Sequence, residues 1–257
     1  MKNKDKRWDS VWGWRGRIGV LLPPRNLVME TDLFRLASTI EGISFHYNRI
    51  VRTSNENSQK VILEMSNNTA NAALLFQDCV DIFLYGCTAG SFLGGVKFEE
   101  EIRKKVYDLT GIKCITTSQA AVEALKYLNV KKITFISPYT NDINIQAKQF
   151  IESFGFEVVA MAGMGFNTSN DNSSTQPQDI YRFARNAVTG SEDAILISCT
   201  NFSSLPIIET LEKDIGKYVV TSNQSSFWFA LKSLGVYSKV EGYGKLLQEK
   251  YNINGNT

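Results

Sequence analysis

The stretch Asp81-Ile-Phe-Leu-Tyr-Gly-Cys-Thr88 has a close counterpart later in the chain, Ala194-Ile-Leu-Ile-Ser-Cys-Thr200. Each is a short apolar run, typical of a buried strand, that leads directly into a cysteine and a threonine. The elements before it also repeat, since a strand ending at Pro23 or Pro138, a helix and a second strand precede it in both halves. A repeated order of elements predicts a duplicated fold.

Short β-branched runs alternate with helical patterns along the whole chain, which is typical of a mainly parallel sheet with helices on both faces. The predicted strands are 17–22, 42–51, 80–85, 112–116, 132–137, 157–161, 194–198 and 218–221. We therefore expect an α/β fold of two similar doubly wound parallel-sheet halves related by pseudo-two-fold symmetry. The active site is expected in the cleft between them, where the carboxyl ends of strands bind ligands.

Four segments follow from this reading. They are an N-terminal leader (1–16), a first α/β half (17–117), a second α/β half (118–222) and a C-terminal helical region (223–257) that packs on the first half. The leader contains Trp8, Trp12 and Trp14, which we expect to pack on the domain or on a partner subunit. Residues 163–177 are rich in Asn, Ser and Thr, and this composition predicts a loop that can close over a polar ligand.

Composition excludes several classes of protein. The 257 residues carry a net charge of only +2, with basic and acidic residues interleaved, so we expect no nucleic-acid partner. The basic opening has no apolar stretch of the kind found in secretory signals, and no apolar run is long enough to span a membrane. The sequence thus predicts a cytoplasmic protein with no membrane partner.

The four cysteines, at 79, 87, 114 and 199, show no close pairing, and His46 is the only histidine. This pattern favours reduced thiols over a zinc site or a disulfide framework. We assign Cys79 and Cys114 to packing, and His46 to a structural role. No metal or other cofactor is expected.

Cys87 and Cys199 are the candidates for chemistry, because each follows a strand directly and precedes a turn. We expect an exposed Cys87 thiol among free backbone amides, which can lower its pKa and bind a carboxylate. Two opposed thiols can remove a proton α to a carboxylate on one face and return one on the other. A thiolate can also add to an activated carbon–carbon double bond. The residues alone leave both uses open.

These motifs resemble the aspartate/glutamate racemase superfamily and, within it, the branch of maleate cis-trans isomerases and arylmalonate decarboxylases. The resemblance covers nearly the whole chain after residue 16. The segments that carry it are 17–26, 86–91, 137–144, 198–201 and 220–224. It implies a cofactor-independent enzyme that acts on a small dicarboxylate or an amino-acid-like substrate, and a homodimer.

The choice within the branch depends on the cysteines. Decarboxylases of this branch look like enzymes with one catalytic cysteine, at the position of Cys199, and they have glycine at the position of Cys87. This chain has a cysteine at both positions. The resemblance therefore implies isomerisation of maleate to fumarate, with Cys87 as the nucleophile and Cys199 as the acid/base. The alternatives are an aspartate/glutamate or hydantoin racemase, then a decarboxylase, and a non-catalytic carboxylate-binding protein.

The resemblance also implies residues that bind the substrate carboxylates. They are Asn26, Thr88, Ala89, Tyr139, Asn170 and Thr200, with Asn167 and Asn172 as alternatives to Asn170. One departure from the isomerases lies beside Asn26, where Arg25 and Leu27 replace the usual small hydroxyl residues. We expect Arg25 either to pair with a substrate carboxylate or to face solvent, and Leu27 to reshape the pocket.

Overall fold

The computed structural model describes residues 12–56 and 58–248, so Trp8 and the first part of the leader lie outside it. The first sheet contains β1 (Gly16–Leu22), β2 (Ile43–Arg49), β3 (Ile82–Tyr85) and β4 (Cys114–Thr116). Its strands are parallel, in the order β2-β1-β3-β4. β3 is completely buried, as an inner strand covered on both faces must be.

The second sheet contains β5 (Lys132–Ser137), β6 (Glu157–Gly163), β7 (Ala194–Ile197) and β8 (Tyr218–Thr221). It is also parallel, and its order, β6-β5-β7-β8, repeats that of the first sheet position by position. The predicted α/β duplication is therefore confirmed. All eight predicted strands are present, with boundaries that differ by a few residues.

Twelve helices connect and cover the strands in the described part of the chain. They are α1 (Val28–Ala37), α2 (Gln59–Asn67), α3 (Thr69–Leu74), α4 (Thr88–Phe92), α5 (Gly95–Thr110), α6 (Thr117–Tyr127), α7 (Asn141–Glu152), α8 (Ser169–Ser174), α9 (Pro177–Asn186), α10 (Ile208–Ile215), α11 (Ser222–Ser233) and α12 (Lys245–Gln248). A short 3-10 turn, Leu205–Ile207, precedes α10.

One expectation is corrected here. The polar segment 163–177 is not entirely a loop, because it contains α8. The Thr168 side chain caps this helix by accepting a hydrogen bond from the backbone N–H of Asp171. Such a cap satisfies one of the free N–H groups at a helix start, which offsets the poor helix propensity of Asn and Ser.

The helix α11 contacts both halves of the chain. α11 follows the second sheet, yet its Phe227 stacks on Phe45 of β2, with ring centroids 5.9 Å apart. Tyr127 of α6 and Trp228 of α11 bring the two helices together, with ring centroids 5.2 Å apart. The Phe227–Phe45 contact supports the expectation that the region after residue 222 packs on the first half. The Tyr127–Trp228 contact joins this region to the start of the second half. Within the described residues, no helix is long and apolar enough to cross a membrane.

Candidate active site

The strand order explains why distant parts of the sequence meet. In each sheet the chain runs outward from the first strand to the edge and then returns to the other side of that strand. The carboxyl ends of β1 and β3, and of β5 and β7, therefore flank points where the chain direction reverses, which is where open parallel sheets form ligand crevices. Asn26, Cys87, Tyr139 and Cys199 follow these four strands.

A narrow cavity of about 40 Å³ lies where the strand ends of the two sheets meet. Its lining residues are Pro23, Asn26, Arg52, Ile62, Cys87, Thr88, Ala89, Tyr139, Ser169, Asn172, Cys199, Thr200 and Asn201. One water needs roughly 10–15 Å³ by this measure, so the space corresponds to about three waters. It suits a small polar molecule and is too small for a large aromatic one.

Cys87 lies at the N-cap of α4 and is 9% exposed, so the thiol is buried and not exposed as expected. The backbone N–H of Gly90 donates to its Sγ at 3.4 Å. Burial raises the pKa of Cys87, while the Gly90 amide, the Arg52 charge and the Tyr85 hydroxyl oppose this rise. The expected lowering by backbone amides is thus present but is outweighed by desolvation.

Position 90 has to be glycine for this geometry. A Cβ atom there would lie 2.1 Å from the Tyr85 hydroxyl oxygen and 3.1 Å from the Cys87 sulfur. The absent side chain lets the backbone N–H approach the thiol, and it leaves room for Tyr85 to hydrogen-bond Ser66 at 2.7 Å.

Cys199 is also buried, but its neighbours are neutral. Asn172 Nδ2 donates to its Sγ at 3.7 Å, and the Tyr139 hydroxyl and the Asn201 backbone amide also hydrogen-bond the sulfur. Burial raises the pKa of Cys199 to about 12, and the nearby Cys87 adds to the rise against these hydrogen bonds. Cys199 therefore carries its proton at neutral pH.

Tyr139 hydrogen-bonds Cys199 and lies near Cys87. Its side chain is buried, and its pKa lies well above the ordinary value because of burial and then because of the charges of Cys199 and Cys87. It also hydrogen-bonds Thr88. A neutral hydroxyl in this position can donate to a sulfur or to a substrate oxygen on either side of the cavity.

Asn26 is 2% exposed and is held at both ends of its amide. Its Oδ1 accepts from the backbone N–H of Met29 at 3.1 Å, and its Nδ2 donates to Thr200 Oγ1 at 2.7 Å. The second Nδ2 hydrogen has only a long contact, to the Gly86 carbonyl at 3.5 Å. One N–H of Asn26 is thus suitably placed to turn to a ligand.

The structure distinguishes the asparagines of the polar segment. Asn170 is exposed and accepts a hydrogen bond from Arg25 at 3.1 Å, whereas Asn172 is buried and lines the cavity. Two residues apart on α8, they face opposite sides, because each residue of a helix turns by about 100°. Asn167 is exposed and does not line the cavity. We therefore move the substrate-binding assignment from Asn170 to Asn172.

Sequence reasoning missed three residues around the thiols. The Ser222 hydroxyl accepts from the backbone N–H of Cys199 at 3.0 Å and from Thr88 Oγ1 at 3.0 Å, so it links the two cysteine turns. Arg52 and Ser169 line the cavity itself. Arg52 follows the carboxyl end of β2, the edge strand of the sheet that carries Cys87. This position after a strand is the feature of the sequence that could have identified Arg52 as a site residue.

Other expected residues lie elsewhere. Cys114 is buried in β4, as expected for packing, but the packing role of Cys79 is wrong, because this residue is exposed in the turn before β3. His46 is exposed on the edge strand β2, with Ser44 Oγ 2.9 Å from its Nε2. Leu27 is 63% exposed and does not line the cavity. Among residues 12–56 and 58–248, no group of His, Cys, Asp and Glu can hold a metal ion.

Comparison with known proteins gives consistent results. The model of the arylmalonate decarboxylase family matches residues 18–247. A maleate isomerase of Geobacillus stearothermophilus is 24% identical, and the match covers 91% of this chain and 98% of that protein.

Two solved structures are similar over almost their full length. The maleate isomerase Iso of Pseudomonas putida S16 has a TM-score of 0.86 at 21% identity, covering 92% of this chain and 99% of that one. A mutant of the Nocardia farcinica maleate cis-trans isomerase with a covalently bound succinylcysteine intermediate has a TM-score of 0.85 at 21% identity, covering 91% and 98%. Both share the fold. Since the family model spans most of the chain, this protein belongs to the arylmalonate decarboxylase family.

Proposed function

We propose that this protein is a maleate cis-trans isomerase that works without a cofactor through Cys87 and Cys199. The observation that carries the proposal is that two buried thiols, at equivalent strand ends of the two halves, line one small cavity. The similarity to maleate isomerases over nearly the whole chain supports it. So does the succinylcysteine seen in the related Nocardia enzyme.

The two thiols have surroundings that suit different roles. Burial raises the pKa of Cys87, but the Gly90 amide and the Arg52 charge oppose this rise, which suits Cys87 to the role of nucleophile. Cys199, with its pKa of about 12, starts as the protonated partner. Divergent environments of paired titratable groups generally separate an acid from a base or nucleophile.

In the first half of the reaction, N–H and O–H donors at Asn26, Tyr139 and Asn172 hold the carboxylates of maleate. The Cys87 thiolate forms a C–S bond with one alkene carbon, and the π electrons move onto the other carbon and its carboxylate. Cys199 gives its proton to that carbon. The product is a succinyl thioether on Cys87 with a single bond between the two former alkene carbons.

In the second half, the intermediate rotates about this single bond. The Cys199 thiolate takes back the proton from the carbon it protonated, the double bond re-forms, and the C–S bond breaks to release fumarate. Cys87 is again a thiolate and Cys199 a thiol. Every bond and proton is restored, so the cycle needs no oxidant or reductant.

We further propose that the enzyme acts in the cytoplasm as a homodimer. Trp12, Trp14 and Phe34 are exposed together around a groove beside the edge strand β2. Clustered large apolar side chains on a surface are typical of a protein contact. This groove supports self-association of the chain through the β2 side of the first sheet.

Proton NMR in deuterated buffer tests the activity. Reduced protein is incubated with maleate, aspartate, glutamate and a hydantoin in parallel. We expect only maleate to react, giving fumarate, and we expect Cys87→Ala and Cys199→Ala each to lower the rate at least about 1,000-fold. The matched control is Cys79→Ala, which removes an exposed thiol outside the cavity and is expected to keep full activity.

Two outcomes contradict the proposal. Deuterium at the α carbon of an amino acid or hydantoin, without fumarate, assigns a racemase. If no substrate reacts in any sample, the result favours a carboxylate-binding protein without catalytic activity.

A further inference from the structure

A buried tyrosine lies beside the nucleophile. Tyr85 is the last residue of β3, its side chain is completely buried, and it does not line the cavity between the two thiols. Its hydroxyl is nevertheless close to the sulfur. A Cβ atom added at position 90 would lie 2.1 Å from Tyr85 Oη, 2.7 Å from Ser66 Oγ and 3.1 Å from Cys87 Sγ. The two hydroxyl oxygens therefore approach the sulfur from outside the substrate space.

The Tyr85 hydroxyl keeps its proton and has two acceptors for it. Burial raises the pKa of Tyr85 well above its ordinary value, and the charge of Cys87 adds to the rise, so the side chain is neutral. The hydroxyl hydrogen-bonds Ser66, with the two oxygens 2.7 Å apart, and it also hydrogen-bonds Cys87. One hydroxyl group has one hydrogen to donate. The two acceptors therefore compete for it.

Ser66 has its own hydrogen committed elsewhere. It lies on α2, where its Oγ is 2.8 Å from the Ile62 carbonyl oxygen and 3.2 Å from the Gly90 carbonyl oxygen. Because carbonyl oxygens only accept, the hydrogen of Ser66 is donated to one of them. The lone pairs of Ser66 Oγ are then left to accept from Tyr85. Ser66 thus offers Tyr85 a neutral alternative to the sulfur.

The charge on the sulfur decides between the two acceptors. Hydrogen bonds to a charged group are roughly twice as strong as those between neutral groups, so a thiolate outcompetes the Ser66 oxygen. A thioether sulfur is a weak acceptor, so the Ser66 oxygen outcompetes it. The Tyr85 hydroxyl is therefore expected to point to Cys87 when the sulfur is charged and to Ser66 when the sulfur is bonded to carbon.

We propose that Tyr85 is a further catalytic residue, whose hydroxyl turns from Ser66 to the Cys87 sulfur as the C–S bond of the intermediate breaks. The inference rests on the proposed function. When the Cys199 thiolate removes the proton, the C–H electron pair forms the double bond and the C–S pair moves onto sulfur. The hydrogen bond from Tyr85 stabilises this new charge, and the Tyr85 proton stays on its oxygen. Addition of Cys87 to maleate reverses the turn.

The test measures alkylation of Cys87 by iodoacetamide in the intact enzyme, with labelled peptides quantified by mass spectrometry and the exposed Cys79 as internal standard. Iodoacetamide reacts with the thiolate, so the rate below the thiol pKa reports how well the charged form is stabilised. Tyr85→Phe removes only the hydroxyl. Loss of a hydrogen bond to a charged group lowers the thiolate fraction about 10- to 100-fold, and the more basic thiolate is a better nucleophile. At about pH 8 we therefore expect the rate to fall about 3- to 10-fold.

Ser66→Ala should have the opposite effect. It removes the competing acceptor, so the Tyr85 hydroxyl is left with the sulfur, and the alkylation rate should rise about 2- to 3-fold. A Tyr85 that only fills space predicts no such rise. The matched control is Tyr181→Phe, which also removes one hydroxyl, a donor to Asp214 outside the cavity. It should leave the rate unchanged.

Either variant can overturn the proposal by itself. A rate in Tyr85→Phe that equals or exceeds that of the wild type does so, and so does a rate in Ser66→Ala that is unchanged or lower. Alkylation does not depend on isomerase activity, so this failure is distinct from failure of the proposed function. With maleate as substrate, Tyr85→Phe should lower kcat about 3- to 10-fold and change KM little, because Tyr85 does not line the cavity. A change in KM alone would contradict the proposal.

Discussion

At the scale of single residues, Cys87 and Cys199 occupy equivalent positions but have unequal surroundings. Cys87 receives a backbone amide from Gly90 and lies near the Arg52 charge. The Cys199 sulfur instead accepts hydrogen bonds from the neutral side chains of Asn172 and Tyr139. The duplication thus supplies two thiols, and the residues around them assign the roles of nucleophile and proton donor.

The raised pKa of Cys87 predicts how its reactivity depends on pH. Because the thiolate is the reactive form and burial raises the pKa above the ordinary 9.0, the alkylation rate should still be rising at about pH 9. Cys199, with a pKa of about 12, should remain unreactive there. Iodoacetamide rate constants from about pH 7 to about pH 10, resolved by peptide, measure this. A plateau for Cys87 below about pH 8 would disagree with the burial described here.

At the scale of elements, the sequence predicted the buried strands but did not predict α8. Inner parallel strands are buried on both faces and read as continuous apolar runs, so β3 and β7 were recognisable. α8 was not, because its Asn and Ser residues favour loops. Its burial depends on long-range contacts, such as the hydrogen bond from Asn201 to the Ser169 carbonyl. Which residues of α8 face the thiols depends on where the helix begins and how it is rotated about its axis. The amino-acid composition of the segment does not specify either.

α1 and α11 are connected through a buried carboxyl group. Asn223 Nδ2 donates to Asp32 Oδ2 at 2.7 Å, yet burial outweighs this bond and raises the pKa of Asp32 to about 6 from 3.8. The folded protein therefore binds this proton more tightly than the unfolded chain does. Asp32 destabilises the fold above about pH 6, and this penalty disappears as the pH falls toward 3.8.

Asp32→Asn removes this titration. Between about pH 7 and about pH 4, the free energy of unfolding of the wild type should rise relative to that of Asp32→Asn by about 2 kcal/mol. Urea denaturation of both proteins at the two pH values gives this difference directly. A constant difference would show that Asp32 has an ordinary pKa in the folded state, and a difference of opposite sign would show that its pKa is lowered there.

At the scale of the whole molecule, the site exists only because both halves contribute to it. Hydrogen bonds across the halves hold it together, from Asn26 to Thr200 and from Thr88 to Ser222. The repeat in the sequence predicted that Cys87 and Cys199 would lie at corresponding strand ends. It did not predict Ser222 or Arg52, because their places in the site come from packing between segments far apart in the chain.

The central claim is that Cys87 forms a covalent adduct and Cys199 resolves it. The most direct test is peptide mapping by mass spectrometry of Cys199→Ala after incubation with maleate. In this variant water supplies the proton that completes the Cys87 adduct, but the thiolate that would remove a proton from it is missing, so the intermediate should be trapped. We predict that the Cys87 peptide gains the mass of one maleic acid, that no other peptide does, and that Cys87→Ala gains nothing. An adduct on Cys199 in Cys87→Ala, or fumarate formation by either variant at the wild-type rate, would contradict the account.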